Sequence, residues 1–74
     1  MTHRIVAEIV GNVGEVLVEV GQKVAPTDPV VVLESMKMEI PVLAEVAGLV
    51  SEIMVTTGDV VQEGDTIAAI DAHD

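Results

Sequence analysis

The chain repeats itself at a spacing of 37 residues, with no gap. Shifted by that amount, Ala7 falls on Ala44, Glu8 on Glu45, Gly11 on Gly48 and Val13 on Val50. Glu15 falls on Glu52, Val18 on Val55, Gly21 on Gly58, Val24 on Val61 and Asp28 on Asp65. Ile5 with Val42, Val16 with Ile53, Val30 with Ile67 and Leu33 with Ile70 are conservative pairs. Two copies are too few for a solenoid, whose units are stable only in longer stacks. The repeat instead predicts two like halves, about residues 4–34 and 41–71, sharing one core around a pseudo-twofold axis. A chain of 74 residues has room for one small domain, taken as residues 1–74.

Each half reads as β structure. Sixteen valines and six isoleucines favour strands, because β-branched side chains fit a pleated surface. The alternation over residues 15–20 predicts a strand with Val16, Val18 and Val20 on one face and Glu15 and Glu19 on the other. Ile53 and Val55 repeat that inner face in the second half. Gly21 and Gly58 mark turns, and Pro26-Thr27-Asp28-Pro29 and Glu63-Gly64-Asp65 mark a second pair. The apolar runs 30–33 and 67–70 close the halves. Pro26, Pro29 and Pro41 belong at edges or turns, since proline cannot donate to a ladder. Helical periodicity is missing, and short strands between closely spaced turns predict a small all-β sandwich or barrel.

The junction of the halves holds the unusual chemistry. It reads Glu34-Ser35-Met36-Lys37-Met38-Glu39, between a strand ending near Glu34 and one beginning near Met38 or Glu39. A tight hairpin there would carry Lys37 at its tip. Two-residue hairpins favour Asn-Gly or Asp-Gly, because both central residues need positive φ. Met and Lys break that rule, and two methionines at an exposed tip would show apolar surface. A local rule broken at one point of an otherwise consistent sequence points to function.

The six-residue run, centred on the repeat, resembles the attachment sequence of biotinyl domains, in which a lysine stands between two methionines. The resemblance runs from about Ile5 to Asp71 and includes the paired glycines Gly11 and Gly48, and Gly21 and Gly58. The chain is similar to the short stand-alone biotin/lipoyl attachment proteins of bacteria. The resemblance implies a flattened eight-stranded β-sandwich, a barrel-sandwich hybrid, with the modified lysine on an exposed hairpin. It implies covalent biotin on Lys37, with Met36 and Met38 as the flanking methionines. Glu34 corresponds to the family's acidic residue linked to recognition by biotin protein ligase. Ser35 stands where alanine is commoner. The gapless repeat leaves no room for the protruding thumb of some relatives. The implied role is that of a biotin carboxyl carrier serving a biotin carboxylase and a carboxyltransferase, with no catalysis of its own. Lipoate on the same lysine is the nearest alternative, and an unmodified acidic β interaction domain is another.

Other functions find little support. The formal net charge is −10, with Arg4, Lys23 and Lys37 the only Arg or Lys residues. Phosphate backbones would repel such a chain, so no nucleic-acid partner is expected. The absence of Phe, Tyr and Trp removes the aromatic stacking of single-strand and sugar sites. Without cysteine there is neither a thiol nucleophile nor a disulfide, which fits a cytoplasmic location. No run resembles a signal peptide or is long enough to span a bilayer, so no membrane association is expected. His3 and His73 lie near opposite ends and read as tail residues rather than a dyad or metal pair, and the carboxylates lack a metal-loop spacing. A closed, acidic sandwich is expected to be monomeric when isolated.

Overall fold

A computed structural model describes residues 1–72; His73 therefore lies outside the described residues. Eight strands follow one another: β1 (Thr2–Val6), β2 (Gly11–Val16), β3 (Lys23–Val24), β4 (Pro29–Ser35), β5 (Met38–Leu43), β6 (Gly48–Ile53), β7 (Val60–Val61) and β8 (Thr66–Ala72). They form two four-stranded antiparallel sheets, ordered β1-β8-β6-β3 and β5-β4-β2-β7. Among the described residues this is the expected eight-stranded sandwich, with no closed barrel. Among the described residues, no helix is long and apolar enough to cross a membrane.

The 37-residue shift carries β2, β3 and β4 onto β6, β7 and β8 without a change of boundary. It also turns the order of the first sheet into that of the second. Each sheet accordingly takes two strands from each half. Irregularities in the ladders recur at the same offset. The register slips between Val13 and Glu15 in β2 and between Val50 and Glu52 in β6. It slips again between Pro29 and Val31 in β4, and opposite Ile67 in β8. Bulges of this kind bend and twist strands, which lets two short sheets wrap one core.

The turns follow the same plan. In three of them an Asp carboxylate accepts the backbone N–H three residues back: Asp28 from Ala25 at 2.8 Å, Asp59 from Thr56 at 2.9 Å and Asp65 from Gln62 at 2.8 Å. Gln22 does the same for Glu19 at 3.1 Å. In each turn the fourth residue's N–H returns a bond of 3.0 Å to the first residue's carbonyl. Gly21 and Gly58 are the third residues of their turns, with φ of 92° and 98°, where a side chain would be strained.

The core is built from repeat pairs. Val13 and Val50, Val18 and Val55, Val24 and Val61, Val30 and Ile67, and Leu33 and Ile70 are all buried. Runs 30–33 and 67–70 lie in β4 and β8, each flanked by a strand on both sides. Pro29 opens β4, Pro41 lies on the edge strand β5, and Pro26 occupies a turn, as proline requires.

Two expectations fail. His3 is not a tail residue but lies within β1, paired with Ile70 of β8. Val16, Val18 and Val20 do not share an inner face: Val18 is buried and Val16 half-buried, but Val20 is 63% exposed. The strand β2 stops at Val16, and the alternation continues only as far as the buried Val18. Val20 then falls at the second position of the turn 19–22 and points to water.

Candidate functional site

The β4–β5 ladder determines where Lys37 sits. Its register pairs Leu33 with Ile40, Glu34 with Glu39 and Ser35 with Met38. Only Met36 and Lys37 remain to make the turn. Their φ values are 52° and 67°, so both are left-handed, as a two-residue hairpin of the primed type demands. Holding a non-glycine residue in that region costs about 1–3 kcal/mol. The buried runs of β4 fix the register, and the tip takes the strain.

Every side chain of the tip except Ser35 is open to solvent. Met36 is 91% exposed and Met38 63%, large values for apolar side chains. Glu34, Lys37 and Glu39 are exposed as well, while Ser35 is half-buried. Neither ion pair found among the described residues involves Lys37; they join Met1 to Asp71 and His3 to Glu45. The amine is therefore available to a partner, with a soft apolar contact on each side of it. A shallow hollow of about 330 Å³ runs from this tip to Asn12 on the neighbouring strand β2.

The molecule measures 36 × 18 × 16 Å. At the base of the hairpin, Leu43 pairs with Pro29. Just beyond it, Glu45 Oε1 is 3.1 Å from His3 Nε2. That bond fastens β1 beside the base, and Met1 and Ala72 share a 2.7 Å backbone bond.

The sequence reading placed Glu34, Met36, Lys37 and Met38 together, and the hairpin does bring them together. It missed Asn12 and Gly14, both on β2 beside Glu34. Asn12 is the cross-strand partner of Glu34, and a Cβ built on Gly14 would come within 2.9 Å of the Glu34 Cγ. Nothing in the motif pointed to them, because they are twenty or more residues away in sequence.

Among the described residues no group of three His, Cys, Asp or Glu could hold a metal ion. An apolar groove of about 270 Å³ follows the outer edge of β5, lined by Ile40, Val42 and Leu43 with Val6 and Ile9 opposite.

The profile of the family described as "Biotin-requiring enzyme" matches residues 4–70. A "Biotinylated protein TB7.3 homolog" of Mycobacterium leprae is 56% identical over 70 residues, covering 95% of this chain and 99% of that protein. The "Biotinylated protein TB7.3" of Mycobacterium tuberculosis is 57% identical over 43 residues, 58% of this chain and 61% of that one. Among solved structures, a single-chain, multi-domain long-chain acyl-CoA carboxylase superposes on 99% of this chain with a TM-score of 0.90 and 33% identity. The matched part is 7% of that chain. The lipoyl domain of the 2-oxoglutarate dehydrogenase complex of Azotobacter vinelandii covers 95% of this chain and is itself 99% covered, with a TM-score of 0.76. At 24% identity it shows a shared fold alone.

Proposed function

The chain belongs to the biotin/lipoyl attachment family, and on that premise we propose that it is a biotin carboxyl carrier whose biotin is held on Lys37. The carrier itself is non-catalytic. The observation that best supports Lys37 is its presentation: a left-handed, exposed lysine between two exposed methionines at the tip of the β4–β5 hairpin.

The amine forms the tether. An ammonium has no electron pair with which to attack an acyl carbon, so the amine must lose its proton before it can react. A biotin protein ligase must supply an acyl-activated biotin and take up the proton. The neutral Nζ then attacks the acyl carbon, the activating group leaves, and a neutral amide replaces the charge. Met36 and Met38 offer the ligase apolar contacts, and Glu34 offers it a carboxylate. Biotin held on Lys37 would supply carboxyl-transfer chemistry between a biotin carboxylase and a carboxyltransferase. The chain's own part is to hold the arm on a rigid sandwich and raise its effective concentration at each partner site. The carboxylase context of the solved relative supports such partners.

Intact-mass measurement tests this reading. The unmodified chain is incubated with biotin, ATP and a biotin ligase, and separately with lipoate and a lipoate ligase. One biotinyl addition is expected, absent in Lys37→Arg. An addition that survives Lys37→Arg sinks the site, and addition of lipoate alone favours a lipoyl carrier.

A further inference from the structure

We propose that Gly14 is a positioning residue for biotin attachment: its bare Cα makes the shelf on which the Glu34 side chain lies, and so fixes the carboxylate for the ligase. The inference rests on the reading of Glu34 as a ligase contact.

The sheet places Glu34 between two unlike neighbours. On one side β5 sets Glu39 directly opposite it, and two like charges in that relation repel. On the other side β2 offers Asn12 as its partner and then Gly14 at the bulge. The side chain lies toward Gly14. A Cβ there would stand 2.9 Å from Glu34 Cγ, 3.0 Å from Cδ and 3.4 Å from Oε1. The outer half of the side chain therefore crowds the place of a Cβ and would have to shift to admit one.

The backbone does not demand glycine at this bulge. Gly14 is not among the glycines with positive φ. Its counterpart across the repeat is Ser51, at the same slip of the β6–β8 register. Ser51 fits there and donates its hydroxyl to the Ala69 carbonyl at 3.1 Å. The counterpart of Glu34 is Asp71, whose Oδ1 is directed to the Met1 ammonium at 3.5 Å. The same structural position thus carries a side chain in the half without the attachment lysine. Glycine is found where a glutamate has to lie down beside one. The atoms in the way belong to the flexible end of Glu34, so Gly14→Ala would displace that side chain and leave the fold intact.

The test is steady-state kinetics of biotin attachment, with the unmodified chain as varied substrate and a biotin protein ligase as enzyme. Gly14→Ala, Glu34→Gln and the double variant are compared with the parent, and thermal unfolding is followed alongside. Gly14→Ala is expected to raise KM for the chain about tenfold, the scale of one weakened hydrogen bond to a charged group, with kcat little changed. Its Tm should stay level or rise, because alanine loses less chain entropy than glycine. In the Glu34→Gln background the same change should add nothing further. An unaltered KM for Gly14→Ala beside a raised KM for Glu34→Gln overturns the inference and leaves the role of Glu34 standing. A full Gly14→Ala effect in the Glu34→Gln background also overturns it, since Gly14 would then act without Glu34. An unaltered KM for Glu34→Gln removes the role of Glu34 itself, and the inference with it.

Discussion

Glu34 and Glu39 face each other directly across the β4–β5 ladder, three and two residues from the lysine at its tip. A structure selected for stability alone would avoid that pair. Its presence puts negative charge on both flanks of Lys37, where a ligase approaching the tip would meet it.

Removing one of the two charges should stabilise the fold. Glu39→Gln is expected to gain about 0.5 kcal/mol at low ionic strength, the usual scale for a cross-strand pair. Salt screens exposed charges over about 10 Å at 0.1 M and over much less at 1 M, so the gain should shrink as salt is added. Urea unfolding midpoints at two salt concentrations measure it.

The hairpin tip should be the least stable point for its size. Replacing either left-handed residue with one that accepts positive φ, as in Met36→Asn or Lys37→Gly, should recover about 1 kcal/mol. For a domain this small that corresponds to a rise in Tm of about 4–8 °C. Lys37→Gly would show the gain together with complete loss of biotin attachment, so stability and function would move in opposite directions.

Gly48 should behave quite differently from Gly14. A Cβ on Gly48 would overlap the Asp71 carbonyl oxygen and press on the Ala72 Cα, both backbone atoms of β8 that cannot turn aside. Gly48→Ala is expected to cost about 2 kcal/mol or more through forced strand displacement. Denaturant titration gives the number, and near-neutral behaviour would contradict the close approach of β6 and β8.

The paired core supplies a further contrast. Ile67 is fully buried, and Ile67→Ala should cost about 2–5 kcal/mol, much of the stability of a small domain. Val20, although the same kind of residue, is exposed in a turn, and its counterpart in the repeat is Thr57. Val20→Thr should stay within about 0.5 kcal/mol of the parent.

The fold was largely legible because its information is local and stated twice. Turn glycines, turn aspartates and apolar runs recur at one spacing, and each recurrence supports the reading of the other. The hairpin at Lys37 could be read the same way, from its place between the halves. What stayed hidden depends on strand ends and register. Where a strand gives way to a turn is one part of it: the alternation that seemed to bury Val20 holds through Val18 and then yields to the turn 19–22. The neighbourhood of Glu34 was hidden for a related reason. Asn12 and Gly14 reach it across a ladder whose register is set by the buried residues of β4.

The exchange of strands between the halves bears on how such a molecule could arise. A polypeptide of one half alone would own two strands of each sheet and no complete layer. Its exposed ladder edges would be matched by those of a second, identical copy in twofold array. Such a pair would be a homodimer with an isologous interface running through its entire core. Joining the two copies end to end would create a single hairpin where one subunit's last strand meets the next subunit's first. Lys37 stands on that join. The proposed attachment point is thus the suture of the molecule, and it occurs once because two tandem copies have a single junction.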